Sequence, residues 1–117
     1  LPGIKLVQVV HVMEDRSVDE ACELAYYVDA ILLDSGNPRL EIKELGGTGR
    51  RHDWRLSRKI VETCGRPVFL AGGLNAENVR EAIEAVRPFG LDVCSGVRSE
   101  GRLDKVKLMK FFAAVNS

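Results

Sequence analysis

The sequence predicts an α/β protein built of parallel βα units, and three observations predict it. Short apolar runs rich in β-branched residues alternate with stretches of helical periodicity. Strand starts near residues 5, 29, 67 and 91 are about 24, 38 and 24 residues apart, so each interval can hold one helix. The runs at 67–75 (Pro-Val-Phe-Leu-Ala-Gly-Gly-Leu-Asn) and 90–97 (Gly-Leu-Asp-Val-Cys-Ser-Gly-Val) pass through Gly-Gly or Ser-Gly before the next helix. Both runs lack alternation, so they read as buried strands covered on both faces. Strands alternating with helices give a parallel sheet with right-handed crossovers. Four units make either a small open sheet or half of an eight-unit barrel.

Each element has its own signal. The first strand, 5–12, is mostly Val, with Leu6 beside it. The first helix opens at Ser17-Val-Asp-Glu20, an S-x-x-E capping box. Val18, Ala21, Cys22 and Ala25 then follow the spacing of one buried helical face. The second strand is 29–34. A loop runs from 35 to about 52, because Gly36, Pro38 and the Gly46-Gly-Thr-Gly49 run break regular structure. Asp53 suits the N-cap of a second helix, with Leu56, Ile60 and Cys64 on its buried stripe and Trp54 as a packing anchor at its start. The third strand is 67–71. Asn75 caps the next helix, Val79, Ala82, Ile83 and Val86 form its buried face, and Pro88 ends it. The fourth strand is 91–95. The last helix begins near Asp104 and is expected to bury Val106, Met109, Phe112 and Ala113.

Composition narrows the class of protein. At 117 residues the chain is one domain, 45% hydrophobic and 29% charged. Its 17 basic and 17 acidic side chains cancel, which points away from a nucleic-acid surface. No apolar stretch approaches the ~18 residues of a membrane span, and no signal peptide is visible. The chain starts at Leu1 without an initiator Met, as expected of an engineered start, a processed product or a piece of something longer. Cys22, Cys64 and Cys94 are odd in number and lack C-x-x-C spacing, which argues against a disulfide framework. Cys22 and Cys64 are expected to be small buried hydrophobes. With two His, neither at ligand spacing to a Cys, no metal site is expected.

In open sheets and barrels alike, chemistry gathers at the C-terminal strand ends. Asp34, the Gly46 loop, Gly72-Gly73 and Ser95-Gly96 all fall there. Glycine turns at such ends let backbone N–H groups approach an anion, at the positive end of a helix dipole. Two of them in successive units suggest one phosphate held between them; the plain alternative is tight turn geometry alone. A carboxyl at the end of an apolar strand, such as Asp34, is a plausible general acid, since burial disfavours the charged form. The plain alternative is an Asp that caps the following loop. His11 reads as a packed or rim histidine near the mouth, and Arg50-Arg51 as a solvated face.

These pieces together resemble the phosphoribosylanthranilate isomerase family of tryptophan biosynthesis. The matching segments are Leu32-Leu-Asp-Ser35, Gly46-Gly-Thr-Gly49, Asp53-Trp54, Phe69-Leu-Ala-Gly-Gly-Leu-Asn75 with Glu77-Asn78-Val79, and Asp92-Val-Cys-Ser-Gly-Val97. Their order and spacing fit strands five to eight of that (βα)₈ barrel, so the resemblance implies that residues 1–117 are a partial domain, the C-terminal half of the barrel. It implies an Amadori rearrangement of a phosphoribosylamine to a 1-deoxyribulose, with no metal or cofactor, in the cytoplasm. By the same resemblance Asp34 is the general acid. Gly72, Gly73, Ser95 and Gly96 hold the substrate phosphate. Gly46, Gly47, Thr48 and Gly49 form a flap over the site. Asp92 contacts a sugar hydroxyl, or else makes a local strand bond.

The chain also departs from the family. The general base there is a Cys in a Lys-x-Cys-Gly strand, and no such segment occurs here. Cys94 is no substitute, because it belongs to the last strand. The Arg that meets the anthranilate carboxylate also belongs to the absent half. Arg98 stands where Glu is usual, and His52 where an aromatic is common. The implied partner is a small phosphosugar, not nucleic acid or membrane. Self-association through open sheet edges, or pairing with the missing N-terminal half, is expected. The rival readings are a non-catalytic phosphate-binding half-barrel or assembly module, and another phosphate-binding barrel enzyme such as a thiamine-phosphate synthase relative.

Overall fold

Branched Cβ atoms favour extended backbone, and Val or Ile fills much of the first two strands. The computed structural model describes residues 3–34 and 48–117, with side chains from residue 54 onward in the second stretch. The strands β1 (Val7–His11), β2 (Ala30–Asp34), β3 (Val68–Ala71) and β4 (Gly90–Leu91) form one parallel sheet in the order β1-β2-β3-β4. The register pairs Val9 with Leu32 and Leu32 with Phe69. Two residues on, it pairs His11 with Asp34 and Asp34 with Ala71. β1 and β4 are the sheet edges, as the sequence predicts.

Among the described residues four helices connect and follow the strands: α1 (Arg16–Leu24), α2 (Thr48–Thr63), α3 (Val79–Val86) and α4 (Lys105–Val115). Successive helices pack side by side, α1 on α2, α2 on α3 and α3 on α4. The core lies between them and the sheet. Val10, Val12, Ile31, Leu33, Val68 and Leu70 enter it from the strands, and Val18, Ala21, Trp54, Ile60, Val79, Ala82 and Val86 from the helices. The alternate strand residues face the other way. Val7 and Val9 are exposed there, while Leu32, Asp34 and Phe69 are half-buried. The expectation that both faces are covered is therefore corrected in part: among the described residues the helices cover one face, and the other is half-buried at β2 and β3 and exposed at β1.

Several local expectations also change. Ser17 does not head a capping box. It lies inside α1, buried, while Asp15 stands at the N-cap without a side-chain hydrogen bond. The Ser17 hydroxyl accepts from the N–H of Met13 (3.1 Å) and of Glu14 (3.4 Å) and donates to the His11 carbonyl (3.3 Å). The turn between β1 and α1 claims this hydroxyl because its own N–H groups are turned inward. Helix α2 begins at Thr48, so Asp53 is interior to it and not its N-cap. Once the Trp54–Ile60 stretch is helical, each upstream residue adds a hydrogen bond at small entropic cost, which carries the helix past Asp53. Trp54 is buried as expected, and Cys64 lies just past the helix end, half-buried. Cys22 is also half-buried, its Sγ 3.4 Å from Thr63 Oγ1.

Helix α3 starts later than predicted: its N-cap is Asn78, which makes no side-chain bond to the helix, and Asn75 closes the turn ahead of it. Asn75 Oδ1 accepts from the N–H of Glu77 (2.9 Å) and Asn78 (3.0 Å), and Asn78 Oδ1 accepts from the Asn75 N–H (2.9 Å). This is a reciprocal capping box with Asn in both places. The helix ends at Arg87, in the left-handed region at φ 54°, before Pro88. Strand β4 is shorter than predicted. It stops at Leu91, and Ser95–Val97 form a 3₁₀ turn. A hairpin that the sequence reading lacks follows, with Arg98 paired to Leu103 and Ser99 to Arg102. Glu100 and Gly101 both have positive φ, as a two-residue type I′ turn requires.

The last helix is rotated relative to expectation. Asp104 is its N-cap as predicted, but Phe111 is its buried residue, with Leu108, Ala114 and Val115 half-buried. Val106, Met109 and Phe112 are exposed, Met109 by 70%. Lys-Val-Lys-Leu-Met-Lys-Phe-Phe-Ala-Ala-Val carries two apolar stripes, and the groove beside α3 accepts the one that holds Phe111.

Buried polar atoms give a test of this core. Ser57 is fully buried and its Oγ has no hydrogen-bond partner among the described residues, whereas Ile60, one turn on, packs fully in the core. Ser57→Ala should therefore keep or raise stability, by up to about 1 kcal/mol, because it removes a desolvated hydroxyl. Ile60→Ala should cost about 2–5 kcal/mol by leaving a cavity. Urea unfolding of the two variants checks this; equal losses would contradict it.

Candidate functional site

The parallel register delivers the candidate residues to one end of the sheet. His11, Asp34 and Ala71 form a row across β1, β2 and β3. The Asp92 N–H bonds the Leu70 carbonyl at 2.8 Å, which carries the row to the chain leaving β4. Asp34 thus ends β2 on the open face, beside the Gly72-Gly73 turn that follows β3. Its side chain is 39% exposed, so the burial expected of it is absent in this chain. His11 Nδ1 stands 3.5 Å from Asp34 Oδ2, at the rim and exposed. Asp92 is exposed one residue past β4, not within the strand as expected.

The glycine turns are built by geometry that only glycine tolerates well. Gly72 and Gly73 have φ of 102° and 69°. Gly96 has a different reason to be glycine: a Cβ there would collide with the Leu74 carbonyl oxygen. The 3₁₀ turn therefore packs directly on the loop after β3, and the two turns become one surface. Among the described residues, no backbone bond is donated by the N–H of Gly72, Gly73, Ser95 or Gly96. A pocket of about 460 Å³ is lined by Gly73, Ser95 and Gly96, with Asn75 and Glu77 from the start of α3 and Lys107 and Lys110 from α4. Gly72 and Asp34 do not line it.

Sequence reasoning missed both lysines. The signal for them was Lys107 and Lys110 at i, i+3 in the helix after Ser95-Gly96. Gly46 and Gly47 lie outside the described residues. Thr48 and Gly49 belong to the first turn of α2 and not to a loop, a correction with the same cause as the early helix start. The side chains of Arg50, Arg51 and His52 are outside the described set. Arg98 is exposed, with a guanidinium nitrogen 3.8 Å from Cys94 Sγ. Among the described residues no group of three or more His, Cys, Asp or Glu is arranged to hold a metal ion, and no helix is long and apolar enough to cross a membrane.

Asp104 fastens the 3₁₀ turn to α4. Its Oδ1 accepts from the N–H of Val106 (2.9 Å) and Lys107 (3.1 Å), and its Oδ2 accepts from the Ser99 hydroxyl (2.8 Å). Its own N–H bonds the Val97 carbonyl at 2.8 Å. Lys107 Nζ adds a bond to the Arg98 carbonyl at 2.9 Å. The Ser99 hydroxyl first, then the Lys107 N–H, hold the Asp104 carboxyl below its ordinary range.

A parallel sheet whose polar residues and glycine turns gather at the strand C-termini, with helices packed on it, defines a parallel α/β protein of βα units. Comparison with known proteins narrows the class. The family profile of N-(5'phosphoribosyl)anthranilate (PRA) isomerase matches residues 2–114. The N-(5'-phosphoribosyl)anthranilate isomerase of Methanocella arvoryzae is 44% identical over 112 residues, which cover 96% of this chain and 50% of that protein. The phosphoribosyl anthranilate isomerase structure from Thermococcus kodakaraensis superposes with a TM-score of 0.78 at 38% identity, over 98% of this chain and 54% of that one. A phosphoribosyl anthranilate isomerase solved with reduced 1-(o-carboxyphenylamino)-1-deoxyribulose 5-phosphate gives 0.66 at 31% identity, over 97% and 49%. The chain belongs to the phosphoribosylanthranilate isomerase family, and it spans about half the length of the curated relatives it matches.

The Asp104 network has a pH signature. Its native pKa lies below the unfolded value, so its contribution is fully present above the unfolded pKa, about 3.9. It is lost as pH falls through the native pKa. The unfolding midpoint should thus drop more steeply below about pH 4 in the parent than in Asp104→Asn, which keeps an N-cap but does not titrate. Parallel profiles would contradict this.

Proposed function

We propose that residues 1–117 are a partial domain, strands five to eight of a (βα)₈ barrel, and supply the general acid and phosphate site of a phosphoribosylanthranilate isomerase. The observation that carries the reading is the meeting of Asp34 and the two glycine turns at one end of a sheet of this family. The half-barrel reading is supported by the share of its relatives that the chain spans, by two free sheet edges and by an open apolar face at Val9, Leu32 and Phe69. Gly72, Gly73, Ser95 and Gly96 would donate N–H groups to the substrate phosphate. The residues at 46–49 would lie over the substrate, and Asp92 would meet a sugar hydroxyl.

In this reading Asp34 protonates the ribose ring oxygen, and the ring opens to a Schiff base. A base then removes the C2 proton, and the resulting enolamine tautomerises to the 1-deoxyribulose ketone. No redox cofactor is consumed, because oxidation at C2 balances reduction at C1 within one molecule. The base and the anthranilate-binding Arg belong to the other half, so this chain alone is inactive. The enzyme acts in the cytoplasm on a small phosphosugar.

Activity assays test the reading. The chain alone should give background conversion of phosphoribosylanthranilate. Addition of a separately expressed N-terminal half from a relative should restore turnover, and Asp34→Asn should lower it by about 10²–10⁴, the usual value of a general acid. Turnover by the chain alone would overturn the division of labour. Full restored activity with Asp34→Asn would overturn the acid.

The alternative, a non-catalytic assembly module, draws on the exposed apolar surface of the free chain. Ile4, Leu6, Val7 and Val9 are exposed along the β1 side, and Val106, Met109 and Phe112 on α4. Unpaired edges beside apolar surface favour association. The isolated chain should therefore grow in mass with concentration in light scattering, and the N-terminal half should suppress this. A monomer at all concentrations would contradict it.

A further inference from the structure

We propose that Lys107 and Lys110 supply the positive charge of the phosphate pocket, with Glu77 opposing them; this rests on the phosphate reading of the glycine turns. Backbone N–H groups orient a phosphate but carry only partial charges. A dianion held by them alone retains most of its charge. Two lysines one helical turn apart on α4 line the same pocket as Gly73, Ser95 and Gly96. Lys107 is anchored there, since its ammonium already donates to the Arg98 carbonyl at 2.9 Å and keeps two protons to donate. Lys110 is different. Its ammonium makes no hydrogen bond or ion pair with the described residues, yet it lines the pocket. Glu77 is the acidic group of the lining, so the side chains there sum to one positive charge. The pocket then attracts an anion without holding it too tightly for release.

Titration of the 117-residue chain with inorganic phosphate at low salt, followed by amide NMR, tests this. In the parent chain the amides of Gly72, Gly73, Ser95 and Gly96 should shift together. Lys110→Gln and Lys107→Gln should each weaken binding about two- to fivefold, and Glu77→Gln should strengthen it about as much, the range of a solvent-exposed ion pair. Lys107→Arg should restore the parent affinity. Opposite changes from Lys110→Gln and Glu77→Gln exclude a merely structural effect, and Lys110→Gln removes no bond that the fold uses. If phosphate shifts the four amides with unchanged affinity in all variants, the phosphate reading stands and the charge proposal is overturned. If the parent amides do not shift at all, the phosphate reading itself falls.

Discussion

The site depends on one constraint, the parallel register of β1, β2 and β3. In a parallel ladder, side chains two residues apart share a face, and a slip of one residue exchanges the faces. The register that buries Ile31, Leu33, Val68 and Leu70 against the helices also sets Asp34 on the opposite face. The two demands are not independent. Asp34 cannot move to the helix side without bringing Leu32 with it and expelling Ile31 and Leu33. Core packing therefore fixes Asp34 in place, and the cost of a slip is the burial of the whole strand face.

The architecture was legible because it rests on periodicity and punctuation. Alternating strand and helix patterns, Pro88 and the glycine turns gave four units in the right order. The cap Asp104 was also readable, as one oxygen of its carboxylate accepts from the N–H groups of the first helical turn. Ser17 was not, because an S-x-x-E pattern cannot reveal that the preceding turn will claim the same hydroxyl. The start of α2 was misread for a related reason. Gly46-Gly-Thr-Gly49 looks like loop, but cooperative helix growth from Trp54 onward outweighs a glycine penalty of about 1 kcal/mol.

The errors over faces have a different origin. In α4, Val106, Met109 and Phe112 form one apolar stripe, and Leu108, Phe111 and Val115 another. Local sequence does not choose between them; the neighbouring helix does. In the strands, continuous apolar runs implied cover on both faces, yet only the helix face is covered here. In the half-barrel reading proposed above, the strands would keep an apolar pattern on both faces because the second face would pack inside a closed barrel. On that reading the exposed stripe of α4 and the less covered strand face would have one source, apolar positions that meet the other half. The pocket lysines escaped notice because a charge on a helix reads as solvated until the fold brings it beside two glycine turns.

Placing the acid and the phosphate turns on one half has a mechanical consequence in the proposed function. The Gly96 contact with the Leu74 carbonyl, the Asn75–Asn78 capping box and the Asp104 bonds tie the two turns into a single unit. None of these bonds crosses a sheet edge. The mutual placement of the two turns is thus set within residues 72–107, whatever covers the edges. A remote phosphate aids catalysis only when its binding energy holds the reacting centre in position. A partner half then needs to position only the base and the ring contacts against a frame already fixed. The acid is the exception: Asp34 is open to solvent on the uncovered face. In the proposed function, further cover over this side chain would come from the other half of the barrel. In the proposed function the two turns thus keep their mutual geometry within this chain, whereas cover over Asp34 is left to the other half.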